Sequence, residues 1–143
     1  MKSRILVGLQ FFIIFLMALP FTSKTTYPEL GLIILVIGVV IGVFAINEHE
    51  KGNFNIRPII KEDCMLVTTG IYSHIRHPMY LSVLLSMLGI AIIYFTYYEV
   101  TLYLLLVITL LVKLFYEESL WKCHGPEYEQ YMKTTKRLIP FVF

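Results

Sequence analysis

Four long apolar stretches dominate the chain, at about residues 5–21, 30–46, 79–95 and 100–116, and polar residues gather between and after them. Each approaches the ~20 residues a helix needs to cross the hydrocarbon of a bilayer. Lipid offers backbone N–H and C=O groups no partner, so a spanning segment must close its own hydrogen bonds as a helix, whatever its β-branched content. The pattern predicts an all-α integral membrane protein of about four transmembrane helices, a single membrane domain over residues 1–143. Residues 1–46 read as an anchoring helix pair. Residues 47–143 read as the chemically active part: a polar loop, a helical hairpin and a C-terminal tail.

Composition supports this reading. Hydrophobic residues make up 57% of the chain and charged residues 15%, against roughly 25% charged in a soluble domain. A water-soluble protein of 143 residues could not bury so much apolar surface. The first stretch follows Lys2 and Arg4, as a secretory signal would, but it is long for one and lacks an A-x-A-like cleavage site, so a retained helix is expected. Lysine and arginine then set the orientation. The 21–29 loop holds only Lys24 and the 96–99 turn holds none. The N-terminus, the 47–78 loop and the segment from Lys113 onward hold the other eleven basic residues. The expected topology is multi-pass, with the N-terminus, the long loop and the C-terminus cytoplasmic, in the inner membrane if the cell is bacterial. Tyr94, Tyr97 and Tyr98 fall at the opposite interface. A net charge of +2 without a basic run gives no reason to expect nucleic acid.

Smaller patterns refine the picture. Gly38 and Gly42 form a GxxxG pattern that lets another helix approach closely. Packing within the chain and a homodimer face are both open to it. Ser82, Ser86 and Gly89 form a similar ridge on the third stretch. Cys64 and Cys123 fit no metal spacing and read as reduced thiols; His49, His74, His77 and His124 are scattered, so no metal site is expected.

Candidate chemistry collects in two places on the same side of the membrane. The first is Arg76-His77-Pro78-Met79-Tyr80. Pro78 suits the first turn of a helix and holds His77 out of helical geometry. Arg76 and His77 are therefore expected beside the free N–H groups and positive dipole end of that helix, where carboxylates bind. An interfacial anchor would also account for them. The second place is Glu117-Glu118, two acids at the unfavourable end of the fourth helix. Lys113, four residues earlier, can pair with Glu117. Helical spacing separates the two carboxylates by about 100° around the axis, so at most one points squarely into a pocket. They could be a solvated helix end, or one could hold an ammonium or sulfonium group. The short 96–99 turn brings the two places together as the ends of an antiparallel hairpin. Arg and His on one wall and Glu on the other suit a zwitterion such as S-adenosylmethionine.

With these residues in view, Leu66-Val67-Thr68-Thr69-Gly70-Ile71-Tyr72 followed by Arg76-His77-Pro78-Met79-Tyr80 resembles the signature of the isoprenylcysteine carboxyl methyltransferase family. Gly52-Asn53-Phe54-Asn55-Ile56-Arg57-Pro58 is similar to its bacterial members. So is the tail, with Glu117-Glu118, Gly125-Pro126-Glu127-Tyr128, Tyr131 and Arg137-Leu138-Ile139-Pro140. The likeness covers roughly residues 52–143. It implies a membrane methyltransferase whose pocket for S-adenosylmethionine is built from the last two helices, the RHPxY loop and the tail. His77 and Tyr80 would contact the cofactor. Glu117 and Glu118 match the paired acids that related phospholipid methyltransferases use for it, and Gly70 would allow close backbone approach. Arg76, His77 and Arg137 are the catalytic candidates, the two arginines for the carboxylate of cofactor or substrate. The implied substrate is a lipophilic or lipidated acceptor drawn from the membrane, most often a carboxylate. Ile71 replaces a proline often seen in the family, and only two helices precede the active part, so the family name does not fix the substrate. Membrane sterol reductases share an RHPxY-like element and a closing Ile-Pro but bind NADPH, whose phosphates two acids would repel. A non-enzymatic membrane protein is the remaining alternative; of its charges, only Lys113 lies inside an apolar run, and near its end.

Overall fold

The computed structural model describes residues 2–19, 22, 24–48, 66–140 and 142–143. The Gly52–Pro58 likeness, His49, Lys51, Arg57, Lys61 and Cys64 lie outside the described residues. The elements in chain order are α1 (Lys2–Met17), α2 (Pro28–Asn47), a 3₁₀ turn (Gly70–Ser73), α3 (Pro78–Ile93), α4 (Tyr97–His124) and α5 (Pro126–Thr134). Among the described residues there is no strand; one isolated parallel bridge joins Ile75 to Lys136. The fold is all-α, as the hydrophobic pattern predicts.

The helix starts follow local chemistry. Proline occupies the first turn of α2, α3 and α5, where its missing N–H is one that no helix satisfies. α4 begins at Thr96, whose side chain accepts a hydrogen bond from the Glu99 N–H at 3.2 Å, a serine/threonine N-cap. α5 differs from the others in being amphipathic, with Tyr128 and Tyr131 buried and Glu127, Glu129 and Lys133 outside.

The helices pack in two antiparallel pairs, α2 on α3 and α1 on α4. The α2–α3 contact is made by small residues. A Cβ added at Gly31 would lie 2.6 Å from the Gly89 carbonyl, and one at Gly38 would lie 2.6 Å from the Ser86 backbone nitrogen. One at Gly42 would meet the Ser82 hydroxyl at 2.5 Å. The GxxxG face is thus covered by α3 of the same chain, and the Ser82–Ser86–Gly89 ridge is its counterpart. α1 and α4 meet through larger residues. Ile13, Met17, Leu102, Leu106 and Leu110 join Met87 and Ala91 of α3 in the core. The hairpin of α3 and α4 exists, but each of the two packs more extensively on an N-terminal helix than on the other. Outward faces are apolar too: Phe11, Phe12, Phe15, Leu32, Val36, Phe44, Leu104 and Ile108 are all exposed. Helices that are apolar on every side belong in lipid.

Two of the helices, α2 and α4, are long and apolar enough to cross a membrane; α1 and α3, of 16 residues each, are shorter apolar helices. The expected four full-length spans are therefore two by length. α4, with 28 residues, runs about 42 Å at 1.5 Å per residue. That exceeds the ~30 Å of hydrocarbon, so α4 is more than long enough to cross it.

Candidate functional site

The RHPxY segment opens α3 as its sequence predicts. Pro78 is in the first turn, and His77 is the N-cap with φ −125° and ψ 56°. The N–H groups of residues 76 and 77, however, do not face an open anion site. Arg76 N–H donates to the Lys136 carbonyl at 2.8 Å and His77 N–H to the Arg137 carbonyl at 3.0 Å. Lys136 N–H returns a bond to the His74 carbonyl at 3.3 Å. The tail after α5 lies alongside the segment like a short parallel strand and supplies the acceptors that the helix start lacks.

Glu118 is the charged hub of this closure. Its side chain is 3% exposed and that of Arg76 6%. Arg76 reaches Glu118 Oε1 through Nε and through a terminal nitrogen, both at 3.0 Å. The other terminal nitrogen of Arg76 donates to the Thr135 carbonyl and, at 3.4 Å, to the Met132 carbonyl. Arg137 Nε donates to Glu118 Oε2 at 3.0 Å. Its guanidinium lies 5.3 Å from the Phe115 ring and 5.2 Å from the Phe143 ring. Such a carboxylate, gripped by two guanidinium groups, forms strong charge-assisted bonds. The picture of a solvated helix end thus fails for Glu118, and that of two opposed, open walls fails for Arg76. Charged partners that sequence spacing put on facing walls have closed on each other. The Arg137 bond runs through Nε, which leaves its terminal groups outside that pair.

Glu117 points elsewhere, as the 100° offset requires. It accepts a hydrogen bond from the Tyr80 hydroxyl and lies 4.0 Å from His77 Nδ1, with its side chain 25% exposed. The His77 and Tyr80 rings are stacked with centroids 5.2 Å apart. His77 Nε2 sits 3.6 Å from Glu118 Oε1, beyond hydrogen-bond reach, and is buried without a hydrogen-bond partner. Lys113 does not form an ion pair with Glu117 at contact distance. Its Nζ donates to Gln10 Oε1 at 2.8 Å and lies 5.0 Å from the centroid of the Tyr80 ring.

Gly70 is the one described glycine with a left-handed φ, +53°. A Cβ there would run into the Glu48 carboxylate. The close approach that glycine permits is thus made by a side chain of α2, which also accepts from the Thr69 hydroxyl at 2.8 Å. Glu48, at the end of α2, was not singled out in the sequence; an acid at the negative end of a helix dipole was its only signal. Tyr131 was noted only as part of the tail. Its hydroxyl donates to the Tyr72 carbonyl and so joins α5 to the 3₁₀ turn. Burial pushes the Tyr131 phenol up to about 12. The phenols of Tyr72 and Tyr128 are raised as well, by burial first and then by Glu117 and Glu118 respectively. All three remain neutral.

Gly70, Arg76, His77, Tyr80, Glu117, Glu118 and Arg137 therefore fall in one region, where the 3₁₀ turn, the start of α3, the end of α4 and the tail converge. A partly exposed carboxylate, Glu117, beside the Nδ1 edge of His77 has the charge to meet a cationic group. The profile of the family described as phospholipid methyltransferase matches residues 26–123, more than half of the chain. Among curated proteins, none matches the chain.

Proposed function

The chain belongs to the phospholipid methyltransferase family, and on that premise we propose that it methylates a lipophilic acceptor at the cytoplasmic face of a membrane, with S-adenosylmethionine as donor. The observation that carries the proposal is Glu117. It is a partly exposed carboxylate, oriented by the Tyr80 hydroxyl and facing the His77 ring, while its neighbour Glu118 is withdrawn into the Arg76–Arg137 clamp. Glu117 would hold the cationic part of the cofactor, His77 and Tyr80 would line it, and the terminal groups of Arg137 would meet its carboxylate. When bound, S-adenosylmethionine supplies a methyl group already activated by its sulfonium sulfur. The protein's task is then to align acceptor and methyl and to exclude water. The tail does the excluding, since its pairing with residues 74–77 closes the polar end of α3. A carboxylate acceptor needs no general base. For an amine or thiol acceptor, His77 is the group placed to take the proton, through Nδ1, the ring nitrogen on the Glu117 side.

The proposal includes four crossings with both termini and the site on the cytoplasmic side, an orientation supported by the eleven basic residues on one side. The shorter α1 and α3 would cross with their polar ends at the interface, which short spans accommodate by local thinning of the bilayer. An acid-lined site disfavours the phosphates of NADPH, and the family match gives the reductase reading no support. Titration calorimetry on the folded protein in detergent tests the proposal. S-adenosylhomocysteine should give saturable heat and NADPH none. The reverse result, or no heat with either, removes this function.

A further inference from the structure

Lys113 is not used by the site described above. It lies on α4 four residues before Glu117, hence about 6 Å along the helix axis toward the apolar interior at 1.5 Å per residue. It is 2% exposed, and Gln10 on α1, which accepts its one hydrogen bond at 2.8 Å, is 5% exposed. No ion pair within 4.0 Å among the described residues includes Lys113; Glu117, one turn away, acts on it only from beyond contact distance. An ammonium has three N–H donors. Here one is bound to a neutral amide and the charge rests at 5.0 Å from the face of Tyr80, the same ring whose hydroxyl orients Glu117. A charge buried in apolar surroundings with no counter-ion in contact is unfavourable, and ionisable groups inside membrane spans mark ligand positions.

The geometry points to Lys113 and Gln10 as the floor of the acceptor site, where the lysine ammonium takes the anionic polar end of a lipid-like acceptor, a carboxylate or a phosphate. This rests on the methyltransferase reading. It divides the site into two layers on one face of α4. Glu117 holds the donor near the polar surface, and Lys113, one turn deeper, holds the acceptor. Tyr80 stands between them and touches both. The offset lets an acceptor arrive sideways from the lipid while the donor comes from water. α1, which lies outside the matched residues 26–123, thereby contributes Gln10 to recognition.

Binding to the purified full-length chain in detergent tests this with two probe pairs. N-acetyl-S-farnesylcysteine is compared with its carboxamide, and lysophosphatidic acid with the monoacylglycerol of the same chain length. At least one anion should bind roughly tenfold or more tightly than its neutral partner, as expected for a charge-assisted contact; the pair that discriminates identifies carboxylate or phosphate. Lys113→Met should abolish the preference. Gln10→Glu keeps the internal hydrogen bond and gives the lysine a counter-ion, so it should also abolish the preference in a protein that stays folded. Both variants should retain wild-type affinity for S-adenosylhomocysteine. A Lys113–Gln10 pair that only ties α1 to α4 would leave the preference intact in Gln10→Glu. That result, or no preference for either anion in the wild type, overturns the inference. Failure of S-adenosylhomocysteine to bind the wild type would count against the methyltransferase reading instead, and the anion comparison would still decide the role of Lys113.

Discussion

Adjacent residues Glu117 and Glu118 look equivalent in the sequence and are opposite in the structure. Glu118 is 3% exposed and holds Arg76 and Arg137, whereas Glu117 is 25% exposed and meets Tyr80 and His77. Single substitutions should separate them. Glu118→Gln leaves the buried Arg76 guanidinium without its counter-ion, and breaking such a pair costs about 3–5 kcal/mol. Its melting temperature without ligand should fall, and the tail should become open to proteolysis. Glu117→Gln should leave melting almost unchanged. It should weaken S-adenosylhomocysteine binding by roughly ten- to a hundredfold, the equivalent of one charge-assisted bond. Equal loss of stability in the two variants would show that the division of roles is wrong. His77→Ala should also weaken the ligand, and combined with Glu117→Gln its effect should not be additive, since both side chains face one ligand.

At the scale of elements, the decisive contact is α2 against α3. Backbones approach closely at Gly31 with Gly89 and at Gly38 with Ser86, so there is no room for a side chain at these positions. Gly38→Leu would force the helices apart, at about 1–3 kcal/mol or more for an overpacked interface. Because Glu48 at the end of α2 bonds Thr69 and lies against Gly70, the displacement should propagate to the 3₁₀ turn. Lower thermal stability in detergent together with reduced ligand affinity is the expected outcome; wild-type melting would mean that the α2–α3 contact does not hold the structure. The tail is the second element whose importance is tertiary. Residues 136 and 137 look like part of a basic C-terminal segment, yet their carbonyls satisfy the N–H groups of Arg76 and His77.

For the whole molecule, the expectation concerns orientation. Reporter fusions at Met1 and at Phe143 should both report the cytoplasm, given the distribution of lysine and arginine. Opposite sides would mean an odd number of crossings, and one of the 16-residue helices α1 or α3 would then lie in the interface instead of spanning. Glu117 and Glu118 lie toward the C-terminal end of α4, so the fusion result also tests on which side the proposed donor site opens.

Much of the molecule is legible in the sequence. Apolar runs too long for a soluble core dictated helices, because lipid satisfies no backbone group; Pro78 marked a helix start, since its missing N–H is no loss in a first turn, whereas Pro28 and Pro126 take the same position without having been read so. The short 96–99 turn brought the RHPxY segment to the twin acids, and the order of motifs carried the family. Helix pairing was not legible, because two all-apolar helices carry no face that names a partner; only the meeting of Gly31, Gly38 and Gly42 with Ser82, Ser86 and Gly89 settled it. Nor was the pairing of charges. Helical spacing fixes the angle between two neighbouring carboxylates, but which of them is buried depends on where residues 76, 135 and 137 arrive from elsewhere in the chain. The Lys113–Gln10 contact, 103 residues apart in sequence, has the same cause: local rules end where a side chain's partner lies on another helix, and only packing brings the two within reach.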